Sequence, residues 1–243
     1  MRKLYEKSQI WFAVVWIVAY CVLMSVGDAL SATLGVEKSV TLVVGLVLSI
    51  ILLLFLHQND LFEAYGLCAA KVSARTMLYY VPVLVMLTAN LWYGTAWNYG
   101  VAERVLYVLM MLCVGFLEEA IFRGLLFEAM RKDSERAAII VSAVTFGIGH
   151  IINLVNGSGA ELVTNLLQVL YATVAGFMFV MIYVKSKSLV GCMVIHGVFN
   201  ALSVFTNEAA MTPSRRVVSA VLLTVITGTY AAWLAWTMRK TKE

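Results

Sequence analysis

Charged residues are scarce in this chain. Only 13% of its 243 residues are Asp, Glu, Lys or Arg, where ordinary soluble domains have about 25%, and 62% are hydrophobic. So few charged side chains cannot cover the surface of a protein that folds in water. The composition therefore excludes a large soluble domain and predicts a protein that folds in the lipid bilayer.

Low net charge and few cysteines exclude further classes of function. The formal net charge is only +4, and the basic residues are spread over many loops, so we expect no nucleic-acid partner. The four cysteines stand far apart and form no Cys-x-x-Cys pair, which argues against a zinc ribbon and a disulfide framework. They are Cys21, Cys68, Cys113 and Cys192.

Long apolar runs alternate with short polar breaks along the whole chain. A transmembrane helix needs about 20 mostly apolar residues, and backbone groups in lipid must be hydrogen-bonded within the segment, which favours helices over open strands. The predicted spans are residues 9–30, 39–57, 74–94, 102–131, 136–153, 160–184, 188–206 and 215–238. We therefore predict an all-α fold, a polytopic membrane bundle of about eight transmembrane helices, with residues 1–243 forming one domain.

Lysine and arginine are unevenly divided between the two ends of the predicted spans. With eight spans both termini lie on one side, and that side carries thirteen basic residues against four on the other. The thirteen are Arg2, Lys3, Lys7, Lys71, Arg75, Arg131, Lys132, Arg136, Lys185, Lys187, Arg239, Lys240 and Lys242, and the four are Lys38, Arg104, Arg215 and Arg216. Because basic loops stay in the cytoplasm, we predict a multi-pass protein of the cell membrane with both termini cytoplasmic.

Three ionisable residues lie midway along the predicted span 102–131, where lipid makes them costly. On insertion scales each such group costs about 2.5 to 3.5 kcal/mol at the centre of a bilayer. Glu119 and Arg123 stand four residues apart, so they share a helix face and can neutralise each other. Glu118 points about 100° away from Glu119 and has no partner nearby in the sequence. This unpaired acid is the best candidate for a chemical role.

Two histidines and an asparagine lie inside later predicted helices. His150 closes the pattern Phe146-x-x-x-His150, and His196 and Asn200 stand four residues apart on one helix face. The third histidine, His57, lies at a membrane boundary, where we expect solvation rather than chemistry. Together with the unpaired glutamate, the set supplies acid, base and hydrogen-bond donors.

This residue set fits peptide hydrolysis. A carboxylate near an imidazole can take a proton from water, while a second imidazole and an amide can donate to the oxyanion that develops on a carbonyl. A zinc site of Glu118, His150 and His196 is the second interpretation, since two histidines and a glutamate can hold catalytic zinc. The usual His-Glu-x-x-His spacing is absent, however. A serine or cysteine nucleophile fits less well, because no Gly-x-Ser-x-Gly motif accompanies the histidines.

The motifs of the fourth to seventh predicted spans resemble those of the CAAX protease and bacteriocin-processing family. That family includes the type II CAAX prenyl endopeptidases and many bacterial self-immunity proteins. The matching elements are Glu118-Glu119-x-x-x-Arg123, Phe146-x-x-x-His150 and His196-x-x-x-Asn200, in the family's order within a core of about residues 102–206. The resemblance implies an all-helical intramembrane endopeptidase that uses a glutamate and no cofactor, with zinc as the alternative.

The resemblance also implies a role for each motif residue. Glu118 is expected to activate the hydrolytic water with the help of His150. His196 and Asn200 are expected to stabilise the oxyanion. The residues expected to support the site structurally are Glu119, Arg123 and Phe146.

Two other classes of function stay open on the sequence. A non-catalytic membrane partner or bacteriocin immunity protein would use the polar residues to hold helices together, and a small-solute or proton transporter would use them as a relay. The lack of an internal repeat and the presence of only two prolines, Pro82 and Pro213, count against the transporter. For an endopeptidase we expect a peptide or protein substrate that reaches the site from the membrane or the cytoplasm.

Overall fold

The protein is helical in the part of the chain that the structure describes. The computed structural model describes residues 1–155 and 162–240. Its α-helices are α1 (Arg2–Lys7), α2 (Gln9–Leu34), α3 (Ser39–Gln58), α4 (Val81–Leu87), α5 (Val101–Glu118), α6 (Phe127–Arg131), α7 (Glu135–Gly149), α8 (Ile152–Val155), α9 (Leu162–Ser186), α10 (Val190–Leu202) and α11 (Pro213–Lys240). The predicted all-α class is confirmed.

Within residues 1–155 and 162–240, seven helical segments are long and apolar enough to cross a membrane. They are Gln9–Leu34, Ser39–Gln58, Ala74–Leu91, Val101–Arg131, Glu135–Leu154, Leu162–Ser186 and Pro213–Lys240. The predicted span 188–206 corresponds to a shorter apolar helix, Val190–Phe205. This helix begins two residues after the predicted start. Ser186 and Ser188 form hydrogen bonds with each other in the turn that precedes it. Residues 160 and 161 of the predicted sixth span, and the basic residue Lys242, lie outside the described residues.

The third span is a kinked segment rather than the straight helix predicted over residues 74–94. It begins with a 3₁₀ turn, Ala74–Tyr80, whose last three residues have positive φ values of 50°, 51° and 58°. The short helix α4 then starts beside Pro82. Proline has no N–H to donate and its ring collides with the preceding turn, so one regular helix cannot run through this position.

Helix α1 and the last turns of α11 lie at one end of the bundle, which we call the terminal end. The hydroxyl of Tyr65, in the loop after α3, donates to Tyr5 of α1 at 2.9 Å. In the same loop, the backbone N–H of Lys71 donates to the last residue of α9. Lys185 of α9 in turn donates to Thr237 of α11 at 2.8 Å. An unbroken set of contacts thus joins α1 to the end of α11.

The opposite end of the bundle is formed by the other set of connections. The backbone N–H of Glu37, between α2 and α3, donates to the Glu103 carboxylate at 3.2 Å. Asn98, in the connection that leads into α5, donates to the backbone carbonyl of Thr206 at 2.9 Å. The chain therefore runs back and forth between two well-defined ends, and the short helix α10 also runs from one end toward the other.

Glycines let α10 lie directly against α5. A Cβ atom built on Gly115 would meet the backbone nitrogen of Gly197 at 2.4 Å and its Cα at 2.6 Å. No side chain fits in that space, because real Cβ contacts this short do not occur. The close approach of the two backbones brings the middle of α10 beside Glu118, the last residue of α5, and Glu119, which follows it.

Candidate active site

The motif glutamates lie where α5 changes into a π-helix. Glu118 is the last residue of α5, and Glu119–Leu126 form a π-helical segment whose eight residues are all buried. Such segments are rare and frequently mark functional sites. The sequence predicted a regular α-helix here, with the two carboxylates pointing about 100° apart. The structure has a π-helical turn in place of that regular helix, and the two carboxylates approach different nitrogens of one ring, that of His196.

Glu119 forms a buried cluster with Arg123 and His196. Its Oε1 accepts from Arg123 Nη1 at 3.1 Å and lies 2.8 Å from His196 Nδ1. The two charged side chains are fully buried, and His196 is 5% exposed. Because a carboxylate can only accept, the His196 proton is assigned to Nδ1. The other ring nitrogen, Nε2, is therefore the one that faces Glu118.

Aromatic rings enclose this cluster. The Arg123 guanidinium stands over the Phe146 ring at 4.1 Å from its centroid, a cation–π contact that partly replaces the lost water. Phe179 stacks on the His196 ring, with centroids 5.4 Å apart and an angle of 20° between the planes. Phe146 belongs to a motif that is visible in the sequence. Phe179 could not be identified in that way, because an aromatic residue in an apolar helix carries no distinguishing pattern.

Glu118 is held by a residue that the sequence analysis missed, Tyr20 of α2. The tyrosine hydroxyl donates to Glu118 Oε1 at 2.7 Å, and Glu118 Oε2 lies 3.5 Å from His196 Nε2. Glu118 thus has no partner nearby in the sequence, as expected, but two residues distant in the sequence contact it in the fold. A polar aromatic residue in the middle of an apolar span was the available indication, since tyrosines otherwise favour the membrane interfaces.

Glu118 lines a cavity of about 140 Å³, here called the Glu118 cavity. Its lining includes Tyr20, Asp28, Phe146, His150 and Asn153. The Glu118 side chain is 15% exposed, whereas that of Glu119 is fully buried. Of the two neighbouring glutamates, only Glu118 can therefore reach a bound molecule.

His150 ends α7 and is fixed in orientation by its own backbone. Its Nδ1 lies 3.1 Å from the carbonyl oxygen of Phe146, and Asn165 of α9 donates to the His150 carbonyl at 3.0 Å. A carbonyl can only accept, so Nδ1 carries the proton. Among the described residues Nε2 has no partner, and it is available to a molecule in the Glu118 cavity.

Asn200 lies on the other side of His150. It lines a smaller cavity of about 60 Å³, the Asn200 cavity, together with His196, Phe179 and Thr227. Phe146 and His150 line both this cavity and the Glu118 cavity. The Asn200 amide forms no hydrogen bond with any described residue. The four residues of the predicted catalytic set thus line two neighbouring cavities, which share Phe146 and His150 as wall residues.

The donor atoms of the alternative zinc site do not converge in this structure. Among residues 1–155 and 162–240, no three side chains of His, Cys, Asp or Glu lie close enough to hold one metal ion. The three residues considered for zinc, Glu118, His150 and His196, instead form separate hydrogen bonds. The arrangement suits proton transfer and hydrogen-bond donation by side chains.

A comparison with known families matches the part of the chain that contains these residues. The family model described as "Type II CAAX prenyl endopeptidase Rce1-like" matches residues 100–202. That stretch contains every site residue predicted from the sequence, from Glu118 to Asn200. A comparison with curated proteins gives no match.

Proposed function

Because the chain carries a domain of the Rce1-like type II CAAX prenyl endopeptidase family over residues 100–202, we propose that it is an intramembrane endopeptidase that uses a water activated by Glu118. The observation that carries this proposal is the position of the Glu118 carboxylate. It is held by Tyr20 at 2.7 Å on the wall of a cavity that it shares with His150. A base must be both fixed and accessible, and Glu118 meets both conditions.

The first step is removal of a proton from water. A cavity of about 140 Å³ has room for a water molecule beside the Glu118 carboxylate and His150 Nε2. Glu118 accepts one proton of the water as the resulting hydroxide attacks the carbonyl carbon of the scissile bond. Its other oxygen keeps the hydrogen bond from Tyr20, which holds the carboxylate in place. The C–N bond then breaks, and Glu118 returns the proton to the departing amine.

The second requirement is stabilisation of the negative oxygen that develops on the substrate carbonyl. The Asn200 amide is a suitable donor, because no described residue occupies it. His196 can donate from Nε2 when its ring is doubly protonated, since Nδ1 is already engaged with Glu119. Removing one oxyanion donor typically lowers kcat by about 100- to 1,000-fold.

Glu119 and Arg123 position His196 and do not touch the substrate in this mechanism. Both side chains are fully buried and linked through Glu119 Oε1, which also bonds His196 Nδ1. The cluster fixes the tautomer and the ring orientation of the histidine, as a carboxylate partner does in other histidine sites. The expected substrate is a peptide or protein segment.

The proposal is tested with purified protein in detergent and a library of random linear peptides, with products identified by mass spectrometry. We expect defined cleavage products that are lost in Glu118→Gln, His150→Ala, His196→Ala and Asn200→Ala. Matched controls are Glu6→Gln, an exposed acid of α1, and His57→Ala, a histidine at the end of α3. Folded wild-type protein that cleaves nothing, or Glu118→Gln protein that still cleaves, would instead support a non-catalytic membrane partner.

A further inference from the structure

A larger cavity lies between α9, α10 and α11, beyond the Asn200 cavity. It has a volume of about 260 Å³, and we call it the outer chamber. Its lining includes Asn90, Gln168, Thr206, Arg216, Ser219 and Leu223. Arg216 pairs with Glu208 at 2.8 Å at the rim, near the start of α11. The chamber therefore opens toward the opposite end of the bundle from the chain termini.

Two hydroxyl groups in the outer chamber are buried without a hydrogen-bond partner. Thr206 is 8% exposed and Ser219 is 9% exposed, and neither side-chain oxygen bonds to any described residue. Leaving a buried polar group unpaired costs about 1–3 kcal/mol. A polar ligand bound in this cavity would give both hydroxyls a hydrogen-bond partner and offset this cost.

Ser219 differs in its hydrogen bonding from three threonines that follow it on α11. Thr224, Thr227 and Thr229 each donate to the backbone carbonyl four residues earlier, which is the usual way to satisfy a hydroxyl on a helix. Ser219 makes no such bond, although the helix geometry would allow it. Its hydroxyl is therefore left unpaired in a residue that lines the outer chamber.

The outer chamber adjoins the candidate active site. It shares four lining residues with the Asn200 cavity, namely Gln168, Tyr171, Phe199 and Leu223. Only these side chains need to move for a peptide in the Asn200 cavity to extend into the outer chamber.

We propose that the outer chamber binds the part of the peptide substrate that extends from the scissile bond on the Asn200 side. This inference rests on the endopeptidase function proposed above. An extended peptide offers both N–H donors and carbonyl acceptors, and either can pair with the hydroxyls of Thr206 and Ser219. Phe199 and Leu223 give the same chamber an apolar wall. The chamber thus fits a short peptide segment with an aliphatic side chain.

The spacing between Ser219 and Thr227 along α11 predicts which substrate residues the chamber contacts. Thr227 lines the Asn200 cavity and Ser219 lies eight residues before it, which corresponds to about 12 Å at 1.5 Å per helical residue. An extended peptide covers that distance in about four residues, at roughly 3.3 Å per residue. The chamber should therefore affect substrate preference at the third to fifth residue on one side of the cleaved bond.

The test compares wild type with the double variant Thr206→Val/Ser219→Ala. Cleavage of the random peptide library measures positional preference in both proteins. We expect kcat/KM for the preferred peptides to fall about tenfold in the variant, mainly through KM. The preference should weaken only at the third to fifth position on one side. The melting temperature should stay unchanged or rise, because both deleted hydroxyls lack a partner among the described residues.

The matched controls are Thr229→Val, on an exposed part of α11, and Ser39→Ala, at the start of α3. Binding is measured separately with immobilised Glu118→Gln protein, with and without the two chamber substitutions, by sequencing the retained peptides. Unchanged positional preference, or a uniform loss at every position, overturns the proposed chamber while leaving the endopeptidase function intact. If wild type retains peptides in a chamber-dependent manner but cleaves none, the chamber stands and the endopeptidase proposal fails.

Discussion

The hydroxyl of Tyr20 donates to the carboxylate of Glu118 at 2.7 Å across the interface between α2 and α5. We predict that Tyr20→Phe lowers kcat/KM about 10- to 100-fold, because a hydrogen bond to a charged group contributes about 1.5–3 kcal/mol. The substitution keeps the aromatic ring, so packing against neighbouring helices is retained. Peptide-cleavage kinetics measure the effect.

The control for this prediction is Tyr79→Phe, because Tyr79 is exposed and distant from the site. Tyr20→Phe should melt within a few degrees of wild type. A variant with full activity and a strongly lowered melting temperature would show that Tyr20 is structural and does not position Glu118.

We predict that Glu119 and Arg123 contribute mainly to stability. Glu119→Ala or Arg123→Ala leaves one fully buried charge without its partner, which costs about 3–5 kcal/mol. The double substitution should be less destabilising than the sum of the two single ones, because the partners interact directly. Thermal unfolding in detergent measures all three variants.

The opposite outcome would reassign the two glutamates. If Glu118→Gln folds poorly, while Glu119→Gln folds well and loses all turnover, then Glu119 is the base and Glu118 supports the structure. The fully buried position of Glu119 argues against that assignment.

The local relations within single helices could be predicted from the sequence. Glu119 and Arg123, four residues apart, do contact each other, and His196 and Asn200 do line the same cavity. Helical periodicity alone determines which side chains share a face, so these relations need no knowledge of the rest of the fold.

Relations between helices could not be predicted in the same way. The contact of Tyr20 with Glu118 depends on how α2 packs against α5, and no local pattern reports that packing. The π-helical turn after Glu118 is a further example, because its residues give no pattern that separates it from an α-helix. Likewise, Pro82 shows where the third span is interrupted but not the positive φ values that precede it.

The close contact between α5 and α10 gives a third prediction. Gly115→Ala places a methyl group 2.4 Å from the Gly197 backbone nitrogen, so the helices must move apart. We expect a loss of at least about 1–3 kcal/mol in stability, together with reduced activity as His196 shifts away from Glu118. The matched control is Gly191→Ala on the partner helix α10, where an added Cβ atom has no other atom within 4 Å. Equal stability and activity of the two variants would contradict the packing argument.

We predict that both termini face the cytoplasm, as the distribution of basic residues indicates. The contacts of Tyr5 with Tyr65 and of Lys185 with Thr237 place the two termini at the same end of the bundle. Reporter fusions at each terminus measure the orientation. A fusion active only outside the cytoplasm would contradict it.

This orientation has a consequence for substrate entry. The Glu118 cavity extends toward Asp28, which pairs with Lys38 at the end opposite the termini. Cytoplasmic termini would therefore direct the cavity toward the other face of the membrane, whereas the sequence led us to expect a substrate that arrives from the membrane or the cytoplasm. The two entry routes are distinguished in whole cells with the variant Asp28→Cys and a membrane-impermeant thiol reagent. The cysteine reacts if the cavity opens to the outside of the cell, and it is protected if the cavity opens toward the cytoplasm.

The last prediction concerns metal. The partners of the two histidines, Glu119 for His196 and the Phe146 carbonyl for His150, also occur around histidines in zinc sites, so these hydrogen bonds alone do not decide the mechanism. The positions of the possible ligands are more informative, because among residues 1–155 and 162–240 no three side chains of His, Cys, Asp or Glu lie close enough to hold one metal ion.

We therefore predict that active protein carries well below one equivalent of zinc and keeps its activity after dialysis against a chelator. Elemental analysis and the peptide-cleavage assay, run on the same sample, measure both quantities. In a zinc enzyme the ion would lower the pKa of the bound water, and removing it would abolish turnover. Loss of activity on chelation that added zinc restores would make Glu118, His150 and His196 ligands, and Asn200 would remain the oxyanion donor.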